Sequence, residues 1–182
     1  IDIDDIVWYG SVHSVQAMTE ESGMDECKPM AALAQYVNEA VKTGRKVHFL
    51  PPYRYDTKIQ LMDLLGIHPS QQREAASLDL IHAVIQLRSI KSEEEIAELE
   101  RASEIGYRMH TTAMRLARPG LTEQYIGGVL EGIARAYGSQ VSFPSIVSMH
   151  GEILHGYPST KPLEEGRLLL VDAGAETNEH YC

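Results

Sequence analysis

Apolar positions in the first half of the chain fall into short blocks separated by glycine and proline. Ile6-Val7-Trp8-Tyr9 is apolar and aromatic and ends at Gly10, which reads as a strand. A short helix is expected from Ser14 to Ser22, stopped by Gly23. Pro29 suits the first turn of a helix, and Met30, Leu33, Ala34, Val37, Ala40 and Val41 recur at helical steps as far as Gly44. Val47-His48-Phe49-Leu50 reads as a buried strand halted by Pro51-Pro52. Asp56 is the expected cap of a helix bearing Ile59, Leu61, Met62, Leu64 and Leu65 and closed by Gly66. Ser77 opens another with Leu78, Leu80, Ile81, Val84 and Ile85. Strands alternating with helices predict an α/β domain over residues 1–86, present in part.

The pattern changes near residues 86–91, and a second domain is expected over 87–182. Ser92 caps an acidic helix start, with Glu95 placed to complete a capping box. The long helix that follows shows a stripe of Ile96, Leu99, Ser103, Gly106, Met109, Ala113 and Leu116, ending at Arg118-Pro119-Gly120. Its plain reading is a packed amphipathic element with a solvated acidic face; a partner-binding helix is the alternative. Thr122 caps the next helix, which carries Tyr125, Ile126, Val129, Leu130, Ile133 and Ala134 and stops at Gly138. Beyond Val141 the period becomes that of strands, expected over Ser142 to Met149, at Ile153-Leu154-His155 and over Arg167 to Val171. Helices followed by strands predict an α+β segment.

Composition narrows the class. With 43% hydrophobic and 23% charged residues the chain is globular rather than disordered. Its apolar runs are far shorter than the roughly 18 residues a membrane helix needs. A formal net charge of −10 repels phosphate backbones and anionic lipid, so neither nucleic acid nor membrane is expected as partner. The same charge suits a cationic ligand such as a metal ion or a free amino terminus. Two cysteines, Cys27 and Cys182, form no disulfide framework, and the acidic opening Ile1-Asp2-Ile3-Asp4-Asp5 is unlike a secretory signal, so a cytoplasmic location is expected. A start without Met and a stop at Tyr181-Cys182 read as the two ends of a fragment.

Asp172 is the leading candidate for chemistry. It follows the aliphatic run Leu168-Leu169-Leu170-Val171 and precedes Ala173-Gly174-Ala175, which leaves the backbone room to turn. A carboxylate at the end of a core strand is costly unless a cation or hydrogen bonds replace its water. A metal ion supplies that compensation; a turn's backbone N–H groups supply it equally. His155 stands at the end of another strand-like stretch, before Gly156-Tyr157-Pro158, either beside Asp172 or as an ordinary turn residue. His110, His150 and His180 carry less signal, and His180 is expected to be exposed in a polar hairpin. There is no phosphate-binding G-x-x-x-x-G-K run and no G-x-S-x-G elbow.

Four stretches together resemble the opening of a pita-bread metallopeptidase domain of the aminopeptidase P and prolidase family. Arg88-Ser89-Ile90-Lys91-Ser92-Glu93-Glu94-Glu95-Ile96 is similar to the family's domain junction, and Arg118-Pro119-Gly120-Leu121-Thr122-Glu123 to the link between its first two helices. Phe143-Pro144-Ser145-Ile146-Val147, followed by Ile153-Leu154-His155, resembles the strand and histidine of its active site. Val171-Asp172-Ala173-Gly174-Ala175-Glu176 resembles the strand bearing the first metal ligand. The likeness covers residues 87–182, and 1–86 fit the back part of the family's amino-terminal α/β domain.

The resemblance implies a dinuclear centre, usually manganese with Co or Zn as alternatives, held by two Asp, one His and two Glu and activating a bridging water. Asp172 matches the first metal ligand. His155 matches the histidine that hydrogen-bonds substrate near the scissile bond and is the catalytic candidate. Tyr181 matches the tyrosine that precedes the second Asp, which puts that Asp and the remaining ligands past Cys182. The implied function is that of an Xaa-Pro aminopeptidase acting on short peptides with proline second, a homo-oligomer when intact, with the 182-residue chain inactive alone. Prolidase, which splits Xaa-Pro dipeptides, is the nearest alternative. A pita-bread module that has lost its metals and binds peptide or protein is the alternative outside the enzymes.

Overall fold

In a computed structural model, residues 3–11 and 13–182 are described. The chain divides into two compact units, Ile1–Arg88 and Ser89–Cys182.

In the first unit the described residues build helices only. α1 spans Ile3–Tyr9, α2 Val15–Ser22, α3 Leu33–Lys42 after a 3-10 turn at Met30–Ala32, α4 Tyr55–Leu65, α5 Gln72–Ala75 and α6 Leu78–Ser89. Local chemistry sets several ends. Ser14 Oγ accepts from the Ala17 N–H at the start of α2, and Gly23 and Gly66 take the left-handed conformation that closes α2 and α4. Ser77 Oγ accepts from the Leu80 N–H at the start of α6 and also meets His48 Nδ1 at 2.6 Å.

Both strands expected here are corrected. Ile6–Tyr9 is helical, because Ile3, Ile6 and Val7 already follow a helical step and the Gly10 N–H closes on the Ile6 carbonyl at 2.9 Å. Residues 47–50 form neither helix nor strand; the Phe49 carbonyl accepts from the Ser77 N–H instead of from a neighbouring strand. The α/β layering expected of 1–86 is therefore not seen among the described residues. The cap expected at Asp56 also moves: Arg54 occupies the cap position and Asp56 lies in the first turn. Arg54 donates to Asp56 at 2.7 Å and, with the Thr57 N–H, pulls this exposed carboxyl down to about 2. Among the described residues of this unit only Gln72 and Ser77 are buried, while Trp8, Tyr53 and Leu87 stand exposed.

The second unit holds the apolar core. α7 spans Glu93–Leu116 and opens with the expected capping box: Ser92 Oγ accepts from the Glu95 N–H and Glu95 accepts from the Ser92 N–H. Its buried stripe is Ala102, Ile105, Met109 and Ala113, which meets the expected one at Met109 and Ala113 and leaves Ile96 exposed. α8 spans Glu123–Ala136 under the expected Thr122 cap and buries Ile126, Leu130 and Ala134 against α7. β1 (Gln140–Val141) pairs antiparallel with β4 (Ala175–Glu176), and β2 (Ile146–Ser148) with β3 (Leu170–Asp172). Val147, Met149, Leu163, Ala173 and Ala175 complete the core. The strand expected at Ile153–His155 is a turn, closed by the Ile153 N–H on the His150 carbonyl at 2.9 Å. The strand expected from Arg167 starts only at Leu170, and Leu168 stands out in solvent.

Candidate functional site

The β2–β3 ladder fixes what faces Asp172. In an antiparallel pair, residues in register sit directly across from each other, and here Ile146 is opposite Asp172. The approach to β2, Phe143-Pro144-Ser145, forms one wall of a cleft of about 400 Å³, and His155, Gly156 and Tyr157 form another. Asp172 and His155, the two residues singled out from the sequence, both line this cleft.

Two details of the expected chemistry change. Asp172 is exposed, and Leu170 and Val171 before it are only half-buried, so this carboxylate is open to solvent. The costly desolvation expected at the end of a core strand does not apply, because β3 is a short strand paired on one side with β2. His155 is likewise exposed, on a turn rather than at a strand end. The remaining histidines lie outside the cleft lining. His150 Nδ1 meets Glu152 at 2.9 Å, and His180, exposed as expected, meets Glu176 at 2.6 Å. His110 does more than its weak signal promised. A carbonyl only accepts, so His110 Nε2 carries the proton it donates to the Ala173 oxygen at 2.9 Å, tying the backbone beside Asp172 to α7.

Close packing holds the turn after Asp172. The Ser142 N–H donates to the Gly174 carbonyl at 3.0 Å, and a Cβ at Gly174 would lie 2.9 Å from Ser142 Oγ, a buried hydroxyl with no hydrogen-bond partner among the described residues. Ser145 donates its N–H to Glu131 at 3.1 Å, while its own buried hydroxyl, at the cleft wall, has no partner among the described residues.

Glu123 has no role in the sequence pattern beyond the start of a helix, and the structure gives it one. It is the first residue of α8 and is 3% exposed. The Met149 N–H donates to its Oε1 at 2.7 Å and the Ser159 N–H to its Oε2 at 2.9 Å. Burial by itself raises the carboxyl, but those two N–H groups, the Ser159 hydroxyl and His150 favour the charged form, and the net pKa lies below the ordinary 4.5. Its visible signal was the Thr-Glu pair at the helix start, where a carboxylate complements the helix dipole.

Among the described residues no group of three or more His, Cys, Asp or Glu is placed to hold a metal ion. Asp172 offers a single carboxylate at the cleft, so the residues present do not by themselves make a metal centre. An imidazole and a carboxylate in one open cleft are suited to hydrogen-bonding a peptide and to attracting a cation. No helix among the described residues is long and apolar enough to cross a membrane.

Residues 97–182 match the model of metallopeptidase family M24. Over 183 aligned residues the chain is 29% identical to the Xaa-Pro aminopeptidase of Escherichia coli strain K12, covering 96% of this chain and 42% of that protein. Aminopeptidase P from E. coli in a low-pH form superposes with a TM-score of 0.74 at 28% identity, over 96% of this chain and 42% of that one. The Pseudomonas aeruginosa aminopeptidase PepP gives a TM-score of 0.73 at 26% identity, over 96% and 41%. The chain thus spans about two fifths of the length of these relatives.

Proposed function

Starting from a chain related to the aminopeptidase P proteins, with its residues 97–182 matched to a metallopeptidase family, we propose that it forms part of an Xaa-Pro aminopeptidase. The complete enzyme releases the amino-terminal residue from short peptides with proline second. The observation that carries this reading is the shared cleft, where His155 and Asp172 stand against the Phe143–Ile146 wall. His155 is assigned the substrate hydrogen bond at the scissile peptide. Asp172 is assigned as one ligand of a divalent metal pair, manganese by preference, that needs further ligands besides it. The apolar wall of Phe143, Pro144 and Ile146 offers proline and small side chains a dry surface. Ile1–Arg88 is assigned to the amino-terminal domain and Ser89–Cys182 to the opening of the catalytic domain. The 182-residue chain is assigned no activity of its own, and the whole enzyme a cytoplasmic location and a homo-oligomeric state.

The test is peptide hydrolysis by the complete enzyme, loaded with manganese, using a tripeptide and a dipeptide of the same Xaa-Pro sequence. Cleavage of the tripeptide before proline supports the proposal. Cleavage of the dipeptide alone makes it a prolidase, and binding without cleavage of either makes it a metal-free peptide-binding module.

A further inference from the structure

We infer that Glu123 is a positioning residue for His155, acting through both feet of the loop that carries it. The loop leaves β2 at Met149 and returns to α8 at Ser159, with His155 between, and each foot donates its N–H to a different oxygen of the same buried carboxylate. The second foot is fixed further by the Gln124 N–H on the Ser159 carbonyl at 3.0 Å. Beyond it Leu163 donates to the Leu121 carbonyl at 2.7 Å and its own carbonyl accepts from Gly120. Gly127, one turn into α8, lets Pro158 approach closely: a Cβ there would lie 3.2 Å from Pro158 Cγ and 3.8 Å from Val147 Cγ2. By contrast, residues 151–155 lie in an exposed turn tied by the Ile153-to-His150 bond. The position of His155 at the cleft therefore depends on how firmly the feet are held.

Charge makes the clamp specific. A carboxylate accepts at both oxygens, whereas glutamine accepts at one and presents an NH₂ to the other N–H. Glu123→Gln keeps the shape and leaves at least one foot facing a donor. The inference rests on the assignment of His155 given above, but its first test does not require turnover.

Hydrogen exchange and histidine-ring NMR are recorded on the 182-residue chain, as wild type and as Glu123→Gln. The amides of Met149 and Ser159 are expected to exchange at least about tenfold faster in the variant while the Leu130 amide in α8 is unchanged. The His155 ring resonance is expected to shift while that of His180 stays put. Unchanged exchange at both feet overturns the clamp. Faster exchange with an unmoved His155 ring overturns the positioning role and leaves Glu123 a structural carboxylate. Should Glu123→Gln unfold, Glu123→Asp keeps the charge with a shorter reach and is read in the same way; unfolding of both also overturns positioning. In the complete enzyme, weakening the clamp by Glu123→Gln is expected to lower kcat more than it raises KM, with partial rescue in Glu123→Asp. Absence of peptidase activity in the wild type would defeat the functional proposal and leave the NMR result standing.

Discussion

Gly174 lies two residues past Asp172, and its replacement by alanine tests how the turn behind the cleft is packed. The new Cβ would sit 2.9 Å from Ser142 Oγ and 3.6 Å from Ser142 Cβ. The second distance is ordinary contact; the first forces a shift. Overpacking of this kind costs about 1–3 kcal/mol, and the lower part of that range applies because the obstructing atom is the end of a small side chain. Losing glycine's freedom in the unfolded chain returns about 0.4–1 kcal/mol. The net is a loss of about 1 kcal/mol for Gly174→Ala in the wild-type background. Ser142→Ala removes the obstructing oxygen, which is buried and has no partner among the described residues, so alone it is neutral or stabilising by up to about 1 kcal/mol. In that background Gly174→Ala changes sign and stabilises by about 0.5 kcal/mol. The cycle therefore carries a coupling of roughly 1–2 kcal/mol. Equilibrium urea unfolding of the four proteins, followed by far-ultraviolet circular dichroism, measures it. An equal cost for Gly174→Ala in both backgrounds would refute the packing argument.

Helix α8 offers a second contrast. Gly128→Ala meets open space and should stabilise by about 0.5–1 kcal/mol, whereas Gly127→Ala should lack that gain because Pro158 must yield, a difference that thermal melts resolve. Acid denaturation gives a third. With its folded-state pKa below 4.5, Glu123 contributes stability above that value and loses it as pH falls through the lower folded value. Glu123→Gln is thus less stable than wild type at neutral pH, and the gap should narrow on acidification below 4.5 in a series of urea midpoints.

The second unit was largely legible because its signals are local. Ser92 with Glu95, Thr122 and the Pro119-Gly120 stop mark helix ends by hydrogen bonds formed within a few residues. Strands are different, since each exists only where another chain segment pairs with it. Residues 47–50 have the composition of a buried strand, but among the described residues no strand lies beside them, and residues 153–155 close on themselves as a turn. For the same reason the buried stripe of α7 is offset from the expected one: Ile96 fits the helical period, but α8 lies over Ile105, Met109 and Ala113. At the site, Asp172 and His155 could be named from their neighbours, and their meeting in one cleft required the Ile146–Asp172 register. The contacts of Glu123 and His110 are not legible in the sequence because their partners, Met149, Ser159 and Ala173, lie far away along the chain and are backbone groups without a residue signature.

The most direct measurement compares the complete enzyme with its Asp172→Asn and His155→Ala variants, reading manganese content and turnover of an Xaa-Pro tripeptide side by side. If the cleft is the peptidase site, Asp172→Asn loses both bound manganese and turnover, while His155→Ala keeps the metal and loses turnover. Retention of metal and turnover by Asp172→Asn, or undiminished turnover by His155→Ala, would contradict it.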